Sequence, residues 1–118
     1  MIDYSKMSDR AINALVGMAL GKKVGEPVNG IQLIEVDGEK ISSSFDPCNN
    51  PGDAWPIILA NRISLMFDKS TEEGNEAKWC LASSPCDQYI VDYVSEQKLL
   101  RAAMIVFLMM KESEQCSS

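Results

Sequence analysis

The sequence predicts an α+β fold, a mainly antiparallel sheet of about four to five strands packed by an N-terminal helix, a short central helix and a buried C-terminal helix. Three observations carry that expectation. Apolar residues recur at helical spacing near both ends, at Ile12, Leu15, Val16, Ala19 and Leu20 and at Leu99, Leu100, Ala103, Met104, Phe107, Leu108 and Met110. Between them lie short runs that alternate or are rich in β-branched and aromatic types, bounded by Gly, Pro, Asn and Ser. The chain has 118 residues, 46% hydrophobic and 24% charged, which suits one core and is too apolar for a mainly disordered chain. Residues 1–118 are therefore expected to form one domain, with a frayed tail at about 113–118.

In the first helix Ser8 is the natural N-cap, Asp9 complements the positive end of the dipole, and Gly21 offers a left-handed C-terminal residue. Lys22 and Lys23 then lie near the negative end. Gly25 to Gly30 has loop chemistry, and Ile31 to Val36 alternates as a strand. Asp37-Gly38 suits a two-residue hairpin turn, so Glu39 to Phe45 is expected to return as a second strand, its serines pointing to an edge position.

Asp46 to Asp53 is turn-rich and admits two helix starts. Asn50 would cap with Pro51 at the first helical position, but Pro56 would then sit deep enough to clash with the carbonyl four residues back. With Asp53 as the cap, Pro56 takes the third position, where no N–H is needed. The expected helix therefore runs from Ala54 to about Asn61, with Trp55, Ile58 and Leu59 on its inner face and Asn61 in the left-handed ending. Strands follow at Ile63 to Phe67, Ala77 to Ala82 and Tyr89 to Val94, the first two separated by an acidic loop from Asp68 to Glu76. Ser95 is expected to cap a last helix from Glu96 to about Glu112. That helix is apolar nearly all round and must be covered on several sides; any stripe left over would favour a homodimer through it.

Charge and residue types exclude several functions. Lys and Arg number 11 against 17 Asp and Glu, a net charge of −6 that repels phosphate backbones, so no direct nucleic-acid binding is expected. There is no histidine, which removes the commonest general base and the Ser-His-Asp and Cys-His arrangements with it. Cys48 lies between Asp46 and Asp53, whose carboxylates suppress a thiolate. Cys80 and Cys86 lack the spacing of a zinc knuckle, and no Gly-rich phosphate loop or dinucleotide fingerprint is present. No catalytic residue, metal or cofactor is assigned. The longest apolar run, Ala102 to Met110, falls well short of the roughly 18 to 20 residues of a membrane span. The N-terminus lacks the plan of a secretory signal, so a cytoplasmic location is expected.

Cys48-Asn49-Asn50-Pro51-Gly52-Asp53-Ala54-Trp55-Pro56-Ile57-Ile58-Leu59-Ala60-Asn61-Arg62-Ile63-Ser64-Leu65 is unusually specific as text. Together with Leu100 to Met110 it resembles the NinX-like family of small proteins encoded by lambdoid-type bacteriophages and prophages. The resemblance implies a phage or prophage accessory protein acting inside the infected bacterium. It implies no activity and carries over no functional residue. The leading expectation is a non-enzymatic domain that binds a host or phage protein, with Asn50, Asp53, Trp55 and Arg62 as candidate binding residues. Helix capping is the alternative role for Asp53, and core anchoring for Trp55. A second reading is a small-molecule binder or cryptic enzyme with a cleft near Asp53, Trp55 and Arg62. A third is an acidic nucleic-acid mimic acting through Asp68 to Glu76, Asp87 and Asp92.

Overall fold

Helix α1 (Asp9–Ala19) begins and ends on the expected chemistry: the Ser8 hydroxyl accepts from the Ala11 N–H at 3.1 Å, and Gly21 closes it at φ +79°. The computed structural model describes residues 3–21, 23–24, 33–36, 39–42, 45–70, 73–74 and 77–116. After α1 come strands β1 (Lys23–Val24), β2 (Leu33–Val36) and β3 (Glu39–Ser42), then helix α2 (Pro51–Ala60). Strands β4 (Ser64–Lys69), β5 (Lys78–Ser83) and β6 (Ile90–Val94) follow, and helix α3 (Leu99–Cys116) ends the order.

The class is α+β, but the sheet is divided. Among the described residues the strands form two three-stranded antiparallel sheets, β1-β2-β3 and β4-β5-β6, in place of one sheet of four to five strands. The physical reason is that the β2–β3 pair takes its third partner from Lys23–Val24, of which Lys23 was expected only to complement the end of α1, while α2 separates it along the chain from β4. Val36 pairs with Glu39; the expected Asp37-Gly38 turn itself lies outside the described residues, as do the Gly25 to Gly30 loop, Ile31, Gln32, Ser43 and Ser44.

Helix α2 starts at Pro51, not at Ala54, and Asn50 caps it, its side-chain oxygen accepting from the Gly52 N–H at 2.9 Å. Asp53 is not free to cap, because its carboxylate accepts from the Asp46 N–H at 3.0 Å and fastens the preceding turn. Pro56 therefore lies inside the helix. The buried face is Ala54, Ile57 and Ile58, so Trp55, 57% exposed, and Leu59 are turned outward, contrary to expectation. A helix apolar on adjacent faces can bury only one of them here, and the smaller Ala54 packs against the core. Asn61 is not left-handed; Arg62 is, at φ +56°. The Ile63 N–H reaches the Ile58 carbonyl at 3.0 Å and the Arg62 N–H reaches that of Leu59 at 3.3 Å, a Schellman ending built on an arginine.

The last helix starts later than expected. A 3₁₀ turn, Glu96–Lys98, precedes Leu99, and Ser95 makes no side-chain capping bond to it. Every residue from Ala102 to Leu108 is buried, because α1, α2 and strands β5 and β6 all pack on α3. The all-round apolarity of this segment is thus used within one molecule, and Leu100, Met109 and Met110 at its ends are half-buried.

The β4-β5 ladder runs unbroken from Ser64 opposite Ser83 to Lys69 opposite Lys78. Alternation places Leu65, Cys80, Ala82, Val91 and Val94 toward α3, and Met66, Trp79 and Leu81 on the other face. In β6 a bulge sets Asp92 and Tyr93 against Leu81, with Tyr93 at φ +55°.

Candidate functional site

The block from Asp46 to Asp53 is tied inward. The Asn13 side-chain amide donates to the Asp46 carboxylate at 2.8 Å, and its carbonyl accepts from the Cys48 N–H at 3.1 Å. Asn49 donates to both the Asp46 and Asp9 carboxylates at 3.1 Å. Asn13 is buried with both polar ends used, the condition under which a buried amide does not destabilise. Arg101 completes the knot, donating to Asp9 at 2.8 Å, to the Met7 carbonyl at 2.6 Å and to those of Tyr4 and Ser5 at 3.2 Å. A planar guanidinium suits such a junction because its donors fan out in fixed directions.

A polar cleft of about 450 Å³ opens beside this knot, lined by Ser5, Ser8, Asp9, Asn49, Lys98 and Arg101. The Asn49 hydrogen bond, then Arg101 and the charge of Lys98, hold the Asp9 carboxyl below its ordinary value. Burial, with the nearby Asp9 and Asp46 charges, pushes the Cys48 thiol up to about 12 against the pull of Arg101. A buried thiol so held is protonated at neutral pH and is a poor nucleophile. Burial also raises Tyr4 to about 12, helped by its hydrogen bond to Glu112 at 2.9 Å. Asp9 and Arg101 already satisfy each other, so this corner fastens the N-terminal turn, α1 and α3 together.

The four residues singled out by sequence separate into two pairs. Asn50 and Asp53 serve the helix cap and the Asp46 amide. Trp55 and Arg62 meet in an open groove of about 480 Å³ between α2 and β4, together with Ile58, Leu59, Ile63 and Leu65. The cleft expected near Asp53, Trp55 and Arg62 therefore keeps two of its three members.

A second exposed surface lies on the β4-β5-β6 sheet. On the sheet face away from α3, Trp79 and Tyr93 stand in a tilted ring pair with centroids 6.2 Å apart, beside Met66 and Leu81. Tyr93 is 78% exposed and Met66 half exposed. The signal was present: β4 and β5 carry apolar residues in both phases of the alternation, where a half-buried strand needs only one. Asp68 lies on this same face opposite Trp79, while Lys69 and Lys78 fall on the other.

Among the described residues, no three acidic, Cys or His side chains gather as metal ligands would, and no helix is long and apolar enough to cross a membrane. The family model described as Bacteriophage P22, NinX matches residues 3–111, and the chain belongs to that family. The match spans the middle of the chain as well as the two segments whose wording carried the resemblance. No curated protein and no solved structure compared with the chain matches it.

Proposed function

We propose that this NinX-family phage accessory protein works by contact, binding a host or phage protein through the outer face of the β4-β5-β6 sheet. The observation that carries the reading is Tyr93, a largely exposed aromatic residue held in the left-handed backbone region at a bulge. A bulky residue there costs on the order of 1–2 kcal/mol relative to ordinary backbone. An exposed side chain kept in a strained position supports a surface role, since packing does not require it there. Trp79, Met66 and Leu81 extend the same apolar face. Asp68 on that face and the net charge of −6 favour a partner that presents apolar side chains inside a basic rim. The missing histidine and the protonated, buried Cys48 favour binding over bond-making.

The test is recovery of partners from phage-infected cells with tagged protein, comparing the natural chain with Tyr93→Asp and Ile90→Asp. Both positions are exposed, Ile90 lying opposite Ser83 on the same outer face, so the substitutions should leave the fold intact. The expected result is a discrete protein recovered with the natural chain and lost with both variants. Equal recovery with all three, or none with any, would count against a contact role for this face.

A further inference from the structure

We infer that two copies of this chain pair through β4, antiparallel about a two-fold axis at Met66, to build one six-stranded sheet across a dimer. The two edges of the β4-β5-β6 sheet are treated differently. The β6 edge is broken by the bulge at Asp92 and Tyr93, a device that discourages further pairing. The β4 edge runs through six regular pairs with β5, has no proline or bulge, and carries Leu65, Met66 and Phe67 at its centre. Among the described residues no strand other than β5 pairs with it.

Alternation selects the occupant. Phe67 lies on the α3-facing side, opposite buried Cys80, yet it is 66% exposed. At the other end of the strand the Trp55 and Leu59 groove is open on that same side, next to Leu65. An antiparallel copy centred on Met66 sets Leu65 opposite the partner's Phe67 and Phe67 opposite the partner's Leu65, keeping both sheets' inner faces on one side. Each Phe67 then meets the other copy's groove. Shifting by two residues sets Asp68 against Met66, or carries Phe67 past the strand start to Ile63, so the Met66-centred register matches apolar to apolar best. It also sets Asp68 opposite the small polar Ser64 of the other copy. A stable interface buries about 800 Å² per partner. Trp55, Leu59, Met66 and Phe67, each half exposed or more, supply roughly half of that at on the order of 100 Å² each. The strand edge, Leu65 and the groove walls supply the rest. The outer face with Tyr93 stays open in such a dimer.

Sedimentation equilibrium of the full chain tests the inference, with Phe67→Lys as the edge-blocking variant and Met66→Cys, in a Cys86→Ser and Cys116→Ser background, as the geometric probe. The expected results are a reversible dimer, a dissociation constant at least tenfold weaker with Phe67→Lys, and a covalent dimer on mild oxidation of the Met66→Cys chain. The weaker association should be accompanied by an unchanged monomer melting temperature. A monomer at every concentration overturns the inference. So does a dimer that Phe67→Lys leaves intact and that Met66→Cys does not cross-link. Neither result bears on partner recovery through Tyr93, so the two readings fail separately.

Discussion

Phe67 and Cys80 face each other across the β4–β5 ladder on the same side of the sheet, yet Cys80 is buried and Phe67 is 66% exposed. The sheet extends beyond the helices that cover it. Residues past the cover contribute little to folding and are free for contact, whereas those under α3 hold the molecule together.

That contrast predicts a division of stability. Phe67→Ser should change the unfolding free energy of the monomer by no more than about 0.5 kcal/mol, as for an ordinary surface position. Phe107→Ala, in the fully buried stretch of α3, should lose about 3–5 kcal/mol. Urea denaturation at a protein concentration low enough to keep the chain monomeric measures both.

Arg62 predicts a stabilising substitution. It occupies the left-handed position of the Schellman ending of α2 at φ +56°, where glycine has no side-chain penalty. Arg62→Gly should raise stability by roughly 1 kcal/mol, and Arg62→Val should lower it, since a β-branched residue tolerates that backbone least. Thermal melts of the two variants should move in opposite directions.

How much of this was legible depended on whether the deciding contact was local. The Ser8 cap, the Gly21 ending and the strand centres follow from neighbours within a few residues, and the structure places them there. The start of α2 was not legible, because Asp53 is drawn to the Asp46 amide, a turn contact that capping preferences do not encode. The outward face of Trp55 was also hidden: Ala54, Trp55, Ile57, Ile58 and Leu59 leave no polar stripe to mark the solvent side. Sheet division escaped because β1 is only two residues long. Of the candidate residues, Trp55 and Arg62 line one groove without Asp53, while the outward turn of Tyr93 is hidden because a bulge has no signature without glycine.

The Asp9–Arg101 junction predicts a pH dependence. Asp9 has its folded pKa lowered below its ordinary value of 3.8, so its contribution is fully present above that value and is lost as pH falls through the folded one. Asp9→Asn should flatten the acid limb of the stability curve below about pH 4. At the other end Cys48 and Tyr4 have raised folded values, so their contributions hold below the ordinary 9.0 and 10.0 and are lost as pH climbs toward about 12. Denaturation midpoints measured across the pH range check both limbs.

The thiols should differ in reactivity. Cys86 is exposed, whereas Cys48 and Cys80 are buried with raised pKa values. Brief alkylation of the native protein followed by peptide mapping should label Cys86 and spare Cys48 and Cys80 until denaturant is added.

The contact role of the outer sheet face is tested most directly by photo-crosslinking in infected cells, with a photoreactive aromatic residue replacing Tyr93 and the same residue at Lys6, on the exposed N-terminal turn, as the control. A discrete adduct with another protein from position 93 and none from position 6 is the predicted result. No adduct from position 93, or the same adduct from both, would contradict it.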